Sequence, residues 1–158
     1  MRRFPAYETK HRLICEINAM KKVMIFGTFD IIHGGHIHMF KQAREYGDYL
    51  IAVVARDVNV EKVKGIGPMH DEKERLDFVS HIDLIDKACL GDKTDVYKII
   101  EKEKPDVIAL GYDQKTYVDK LANAITRAGL NTSIVRLSEY QPKRLKTHKI
   151  KKYIERMI

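Results

Sequence analysis

Residues 21–36 read KKVMIFGTFDIIHGGH and combine three local patterns that together indicate a fold. An apolar run of strand length, Val23–Phe26, comes first and is followed directly by Gly27. Gly34 and Gly35 then open a stretch with helical spacing. A buried strand that passes through a glycine-rich loop into a helix is typical of sheets that bind phosphates, because the free N–H groups of the helix attract anions.

The rest of the chain continues this alternation of strand and helix. The runs VMIF, LIAVVA, KACL, VIAL and TSIVRL predict strands at Val23–Phe26, Leu50–Ala55, Lys87–Leu90, Val107–Leu110 and Thr132–Leu137. Amphipathic stretches predict helices at His36–Tyr46, Asp71–Ser80, Thr94–Lys104, Tyr117–Ala128 and Thr147–Met157. Most of the runs do not alternate, as expected for strands buried on both faces. The order predicts an α/β fold with a single doubly wound, parallel, five-stranded sheet of Rossmann-like type.

Several residues mark the predicted ends of these helices. Asp71 has the spacing of a capping box with Glu74, three residues further on. Gly47 and Gly129 stand where glycines usually end helices, and Pro105 follows the third helix.

The composition describes an ordinary globular protein of one domain. Its 158 residues are 44% apolar and 32% charged. No apolar stretch is long enough to span a membrane, and the first twenty residues do not resemble a signal peptide, so a cytoplasmic location is expected. Cys15 and Cys89 share no metal-type spacing, and we expect two reduced thiols.

The net charge of +7 is concentrated at the end of the chain. Residues 141–158 hold seven basic residues and one acidic residue, while the middle of the chain is nearly neutral. Such a cationic segment fits nucleic acid, a membrane surface or a small polyphosphate, and the charge alone does not choose among them.

Three histidines follow the first predicted strand: His33, His36 and His38. They could belong to a metal site, act as a base, or bind an anion. A zinc site needs three converging ligands, and no cysteine lies nearby. His33 and His36 are three residues apart, so both rings can face one bound group. Two imidazoles that donate to phosphate oxygens would stabilise the charge of a phosphoryl-transfer transition state. The alternative is that single histidines merely pack or face solvent.

The stretch GTFDIIHGGH resembles the GTFD…HxGH motif of the cytidylyltransferase-like nucleotidylyltransferases. The resemblance extends from about Lys21 to Ile154, so residues 20–158 are predicted to form the nucleotidylyltransferase domain. Residues 1–19 are then an N-terminal extension of uncertain status. The family implies in-line displacement at the α-phosphate of a nucleotide by a phosphorylated acceptor, with release of pyrophosphate.

Further segments resemble archaeal-type FAD synthetase in particular: VARD (Val54–Asp57), LGYDQ (Leu110–Gln114) and the KACLG run (Lys87–Gly91). They imply ATP as nucleotide and FMN as acceptor. The alternative within the family is a cytidylyltransferase that uses CTP and glycerol 3-phosphate or a related alcohol phosphate. A different class also stays open, namely a non-catalytic module that binds a nucleotide or nucleic acid.

The resemblance assigns roles to individual residues. The catalytic residues would be His33, His36 and Lys149. The nucleotide would be bound by Gly27, Thr28, Phe29, Gly35, Gly111, Asp113, Thr147 and His148. The acceptor or its phosphate would be bound by Asp30, Lys64 and Arg75. No metal ligand is assigned, although Mg²⁺ is expected with ATP or CTP.

Some of these residues have an equally simple structural interpretation. Arg75 sits on a predicted helix and can form an internal ion pair. Asp30 and Asp57 lie near strand ends, where they either help to hold a magnesium–nucleotide complex or cap turns. Lys64 can be a solvated lysine, and Asp113 can cap a turn.

The chain also departs from its relatives. Asp83 replaces a cytidylyltransferase arginine, and His148 stands where a hydroxyl residue is usual. Pro142 and Leu145 occupy the positions of a cysteine pair in FAD synthetases. We hypothesise that the basic side chains of Lys143, Arg144 and Lys146 bind a polyphosphate in place of the hydroxyl residues usual in this region. A homodimer is expected by analogy, with no nucleic acid or membrane partner.

Overall fold

The computed structural model describes residues 16, 17, 19–141, 143, 144 and 146–157. Within them, five strands form one parallel sheet in the order β3-β2-β1-β4-β5, which confirms the predicted fold class. The strands are β1 (Lys22–Gly27), β2 (Tyr49–Val54), β3 (Lys87–Leu90), β4 (Val107–Leu110) and β5 (Ser133–Arg136). The strand order reverses between β1 and β4, and ligands of doubly wound sheets bind at the carboxyl ends of the strands beside this point.

The described helices of six or more residues are α1 (Gly34–Arg44), α2 (Asp57–Lys64), α3 (Glu72–Ser80), α4 (Lys98–Glu103), α5 (Leu121–Arg127) and α6 (Thr147–Glu155). The predicted capping box is present, since Asp71 accepts from the backbone of Glu74 and the Glu74 side chain accepts from the backbone of Asp71. Helix α2 differs from the sequence-based prediction, in which its residues form a loop. Gly65 ends this helix with a φ of 72°, a left-handed conformation that favours glycine.

The two faces of the sheet are covered by different helices. On the α1/α3 face, Phe40 and Ala43 of α1 and Val79 of α3 pack on Val23, Leu50 and other strand residues. On the α4/α5 face, Ile99 and Ile100 of α4 and Leu121 and Ile125 of α5 pack on Met24, Ile51, Val53 and Leu110. Both faces of the sheet are therefore buried, in agreement with the non-alternating apolar runs.

Two helices begin four residues later than predicted, at Lys98 instead of Thr94 and at Leu121 instead of Tyr117. Before α4, a carboxylate oxygen of Asp92 accepts hydrogen bonds from the backbone of Thr94, which builds a turn in place of a helix. Before α5, Tyr117 has a φ of 64°, which no right-handed helix contains.

The two predicted helix-end glycines have different roles. Gly129 follows α5 with a φ of 65°, as expected for a glycine just beyond a helix. Gly47 lies beyond the end of α1 at Arg44, and a Cβ there would lie 2.4 Å from the carbonyl oxygen of Lys21. Gly47 is therefore needed for close backbone packing beside β1. The predicted extension, residues 1–19, falls largely outside the described residues, so the boundary at residue 20 stays a prediction.

Candidate active site

The turn after β1 depends on Phe29, whose φ of 53° is unusual for a residue with a side chain. Its ring is 2% exposed and lies beneath the end of the strand, where a Cβ on Gly27 would come within 2.6 Å of the ring carbons. Gly27 is therefore required by the ring of Phe29. Gly27 and Phe29 also line a cavity at the carboxyl ends of the strands, so their assignment to nucleotide binding stays a prediction.

His33 caps the N-terminus of α1. Its Nδ1 accepts a hydrogen bond of 3.1 Å from the backbone of Gly35, so a neutral His33 carries its proton on Nε2. The ring centroids of His33 and His36 are 4.0 Å apart. The two histidines that the motif singled out are thus brought together at a helix N-terminus, with Nε2–H of His33 available as a donor.

His36 is held by aromatic rings from the core. Its ring centroid lies 5.6 Å from that of Phe29 and 6.4 Å from that of Phe40. Burial, followed by the nearby His33 and Lys64, lowers the pKa of His36 to about 4, and burial also lowers the pKa of His33. Both rings are therefore neutral at pH 7. Nδ1 of His36 is buried without a hydrogen-bond partner among the described residues, so the ring keeps unused hydrogen-bonding capacity.

Lys64 approaches the same point from α2. Its ammonium donates to the hydroxyl of Thr28 at 3.1 Å, and burial lowers its pKa. This contact joins the end of the unpredicted helix α2 to the turn after β1. Lys64, Thr28 and His36 all line one cavity of about 470 Å³.

The cavity lies at the carboxyl ends of β1, β2 and β4, as the topology requires. Its polar end contains Thr28, His36 and Lys64, and its rim includes Gly111 and Asp113 after β4. The opposite end is apolar and extends onto the α4/α5 face of the sheet, with Phe26, Val53, Tyr97, Ile100, Val118 and Leu121 among its lining residues.

The contacts of Arg75 favour the internal ion pair over the role that the resemblance implies. The residue is 0% exposed, and its guanidinium donates to the carbonyl oxygens of His70, Thr28 and Ala55. It also forms an ion pair of 2.7 Å with Asp57. Arg75 therefore ties α3 to the ends of β1 and β2. The buried guanidinium thus has four acceptors inside the protein. Of the two interpretations of Arg75, the internal ion pair agrees with these contacts.

Asp30 is likewise engaged inside the protein. It is 6% exposed and accepts hydrogen bonds from the backbone of Met69 and His70 and from the ammonium of Lys151 at 2.8 Å. Burial by itself raises its pKa, but these donors outweigh burial and hold the pKa well below its usual range. Asp30 therefore connects the turn after β1 to the segment before α3 and to α6, and its assignment to the acceptor or its phosphate stays a prediction.

A protein cage for a divalent ion does not fit these contacts. Asp30 is bound as just described, and Asp57 accepts from Arg75 and from the backbone of Glu72. In the described part of the chain, no three histidine, cysteine or acidic side chains group together in a way that would hold a metal ion.

The predicted phosphate contacts on α6 lie apart from the cavity. Thr147 and Lys149 are half-buried and His148 is exposed, yet none of the three is among the lining residues. The ammonium of Lys149 donates to the carbonyl oxygen of Lys143 at 2.8 Å. Pro142 and Leu145, at the positions of the missing cysteine pair, lie outside the described residues.

Two basic side chains before α6, those of Lys146 and Arg144, already have partners within the protein. Lys146 forms an ion pair of 3.0 Å with Asp113 on the cavity rim, and its ammonium lies 5.2 Å from the centroid of the Tyr112 ring. The guanidinium of Arg144 donates to the side chain of Gln141. The hypothesis that these cations contact a polyphosphate therefore requires them to exchange partners.

Sequence reasoning missed several residues that shape the cavity. Asn59 of α2 lines it and donates to the carbonyl oxygen of Asp92 at 2.9 Å. Tyr97 and Tyr117 lie on the segments that were predicted as the first turns of α4 and α5. The run of turn-forming residues GDKTD, residues 91–95, was a signal that α4 begins late.

The cytidylyltransferase-like family model matches residues 24–153. This chain belongs to that family. It is 40% identical over 139 residues to an FAD synthase of Thermoplasma volcanium, covering 88% of this chain and 97% of the relative. It is 48% identical over 119 residues to an FAD synthase of Archaeoglobus profundus, covering 75% of each. The crystal structure of the lipopolysaccharide core biosynthesis protein from Thermoplasma volcanium matches with a TM-score of 0.72 at 42% identity, covering 78% of this chain and 100% of that one.

Membership in the cytidylyltransferase-like family agrees with the geometry. His36 and Lys64 line the cavity, and His33 lies beside His36 at the N-terminus of α1. Hydrogen-bond donors are thus brought together, as transfer at a phosphate requires. No helix in the described ranges is both long and apolar enough to cross a membrane.

Proposed function

We propose that this protein is an FMN adenylyltransferase, which transfers the adenylyl group of ATP to the phosphate of FMN and releases pyrophosphate. The observation that carries the proposal is the similarity to FAD synthases over most of the chain. One of them is 40% identical over a segment that covers 88% of this chain. The cavity supports it, because donors for phosphate and apolar surface for a large acceptor occur at its two ends.

The reaction is a direct in-line displacement. An oxygen of the FMN phosphate attacks the α-phosphorus of ATP, a new P–O bond forms, and the bond to the bridging oxygen of the β-phosphate breaks. The electron pair of that bond leaves with pyrophosphate. The acceptor phosphate is already ionised at neutral pH, so the reaction needs no nucleophile from the protein. The task of the side chains is to position the reactants and to stabilise negative charge.

In this proposal His33 and His36 donate to phosphate oxygens as neutral imidazoles. Nε2–H of His33 is fixed by the hydrogen bond from Gly35, so this donor needs no rearrangement when charge develops. Lys64 supplies a positive charge beside Thr28 and moves from the hydroxyl to a phosphate oxygen.

Lys149 stays a candidate, but its ammonium must first leave the carbonyl oxygen of Lys143. Thr147 and His148 stay candidates on the same helix, and Asp113 stays a candidate for the base or ribose, provided that Lys146 releases it. Because the described residues offer no metal cage, we expect Mg²⁺ to enter with the triphosphate of ATP, which it neutralises. The cytoplasmic location and the homodimer stay predictions.

Pyrophosphate release tests the proposal. Purified protein with Mg²⁺ is given ATP or CTP, each with FMN or glycerol 3-phosphate. Release with ATP and FMN only, together with formation of FAD, is the expected result. Release with CTP and glycerol 3-phosphate would keep the chemistry and overturn the substrates. Nucleotide binding without release in any pair would contradict the enzyme and favour the non-catalytic alternative.

A further inference from the structure

The apolar end of the cavity exists because two helices start late. α4 begins at Lys98 and α5 at Leu121, so irregular segments in place of helices lie beside the carboxyl-terminal part of their sheet face. The floor consists of Phe26, Val53 and Leu110, which come from the neighbouring strands β1, β2 and β4; Val53 and Leu110 are each 3% exposed. Three neighbouring strands span about 10 Å, which suits a fused three-ring system better than a single ring.

The walls of this space come from the irregular segments that precede the two helices. Tyr97 and Val96 stand before α4, and Tyr117 and Val118 stand before α5. We call this space the slot, with Phe26, Val53 and Leu110 as its floor and Tyr97, Tyr117 and Val118 as its walls.

A hydrogen bond connects the two walls. The hydroxyl of Tyr97 donates to the carbonyl oxygen of Tyr117 at 2.8 Å. Tyr117 has a φ of 64°, a conformation that costs energy for a residue with a side chain and persists only when its surroundings enforce it. Burial, as the largest cause, raises the pKa of Tyr97, so its hydroxyl stays protonated and keeps donating at neutral pH. The contact therefore holds Tyr117 in a strained position beside the slot.

The chemistry of the slot differs from that of the polar end. Its floor consists of aromatic and aliphatic side chains, and its walls add two tyrosine rings, which present flat surfaces at low cost in conformational entropy. Adenine presents hydrogen-bonding groups around most of its edge, whereas a fused aromatic acceptor such as a flavin has one fully apolar end. Burial of that apolar end requires no polar partners, which matches the slot.

We propose that the slot binds the fused aromatic ring of the acceptor, with Tyr97 and Tyr117 as the residues that select it. The acceptor phosphate then lies towards His36 and Lys64, at the opposite end of the cavity. This inference rests on the proposed function, because it assumes that the acceptor is a flavin phosphate.

Flavin fluorescence gives a readout that is independent of catalysis. The chain contains eight tyrosines and no tryptophan, so stacking that quenches the fluorescence of bound FMN has to involve tyrosine, phenylalanine or histidine rings. FMN is titrated with the full-length protein without nucleotide. We expect saturable quenching for the wild type. Tyr117→Leu should weaken the binding of FMN by roughly tenfold, the size of a lost aromatic contact, and should reduce the quenching at saturation.

One further variant tests the hydrogen bond of Tyr97, and another serves as a control. Tyr97→Phe keeps the ring and removes the hydrogen bond, so the Kd for FMN should rise by roughly threefold to tenfold. Tyr46→Leu is the matched control, because Tyr46 is 37% exposed, close to the 42% of Tyr117, and lies beyond the end of α1 outside the cavity. Its Kd and quenching should equal those of the wild type.

The possible results distinguish this inference from the proposed function. An unchanged Kd for FMN in Tyr117→Leu, or no quenching by the wild type, overturns the slot as the ring site. A KM for ATP that rises in Tyr117→Leu while the KM for FMN stays constant overturns it as well, because the slot would then hold adenine. Quenching that depends on Tyr117 without pyrophosphate release from ATP and FMN keeps the slot and refutes the proposed function.

Discussion

At the carboxyl ends of the strands, helices cover the two faces of the sheet to different extents. On the α1/α3 face, helices of 11 and 9 residues cover the strands, and the buried guanidinium of Arg75 makes four hydrogen bonds beneath the loops. On the α4/α5 face, helices of 6 and 7 residues start late and leave a slot. The packed face holds donors rigidly for chemistry, and the open face leaves room for a ligand. Substitutions on each face can test this contrast.

The largest effect on stability is expected when Arg75, on the α1/α3 face, is replaced. Arg75→Met keeps the volume but removes the ion-pair partner of Asp57 and the side-chain donor to three carbonyl oxygens. The free energy of unfolding should fall by about 3–5 kcal/mol, measured by urea denaturation. Arg127→Met, at an exposed position on α5, is the control and should change it by less than about 0.5 kcal/mol. Equal effects in the two variants would show that the buried hydrogen bonds and ion pair contribute nothing.

The next effect concerns catalysis at the packed face. His36→Ala should lower kcat about a hundredfold or more, the usual result of removing one preorganised donor, equivalent to about 3 kcal/mol. Far-ultraviolet circular dichroism checks that the variant is folded, and His36→Gln repeats the test with a better-filled site. His81→Ala alters a histidine whose side chain is 75% exposed and should leave kcat unchanged. A near-normal kcat in both His36 variants would remove this residue from the mechanism.

The same histidine makes stability depend on pH. Its pKa is about 4 in the folded protein and about 6.5 in an unfolded chain. Between these two pKa values the unfolded state binds more protons than the folded state. The contribution of neutral His36 to the free energy of unfolding is therefore fully present above pH 6.5 and is lost as the pH falls towards 4. From pH 7 to pH 5 the wild type should lose roughly 2 kcal/mol through His36. His36→Gln should lack this part of the pH dependence, and parallel curves for the two proteins would contradict it.

The smallest effect is the difference between two matched truncations. Leu50 is 0% exposed and packs on the α1/α3 face, whereas Leu121 is 4% exposed but borders the cavity. Both Leu→Ala changes should destabilise the fold, by about 4 kcal/mol at Leu50 and about 2 kcal/mol at Leu121. The loss is smaller at Leu121 because its side chain borders the cavity and the change removes fewer packing contacts. Urea denaturation measures both. A larger loss of stability at Leu121 would mean that the slot is closed in solution.

Much of the fold follows from local patterns. The five apolar runs predicted the strands to within two residues at each end, and the Asp71 capping box placed the start of α3. The errors lie at α2, which is short and polar, and at the starts of α4 and α5. There a turn built by Asp92 and the strained backbone of Tyr117 oppose the helical periodicity. The errors at the starts of α4 and α5 coincide with the slot.

Periodicity and spacing within a few residues were enough to determine the parallel sheet and the pairing of His33 and His36 after β1. The buried roles of Arg75 and Asp30, and the slot beside Tyr97 and Tyr117, are decided by the folded chain alone. Their partners are distant in the sequence, as for Asp30 and Lys151, which are 121 residues apart. Burial and hydrogen bonding between such residues arise only when the chain is folded, so no local pattern encodes them.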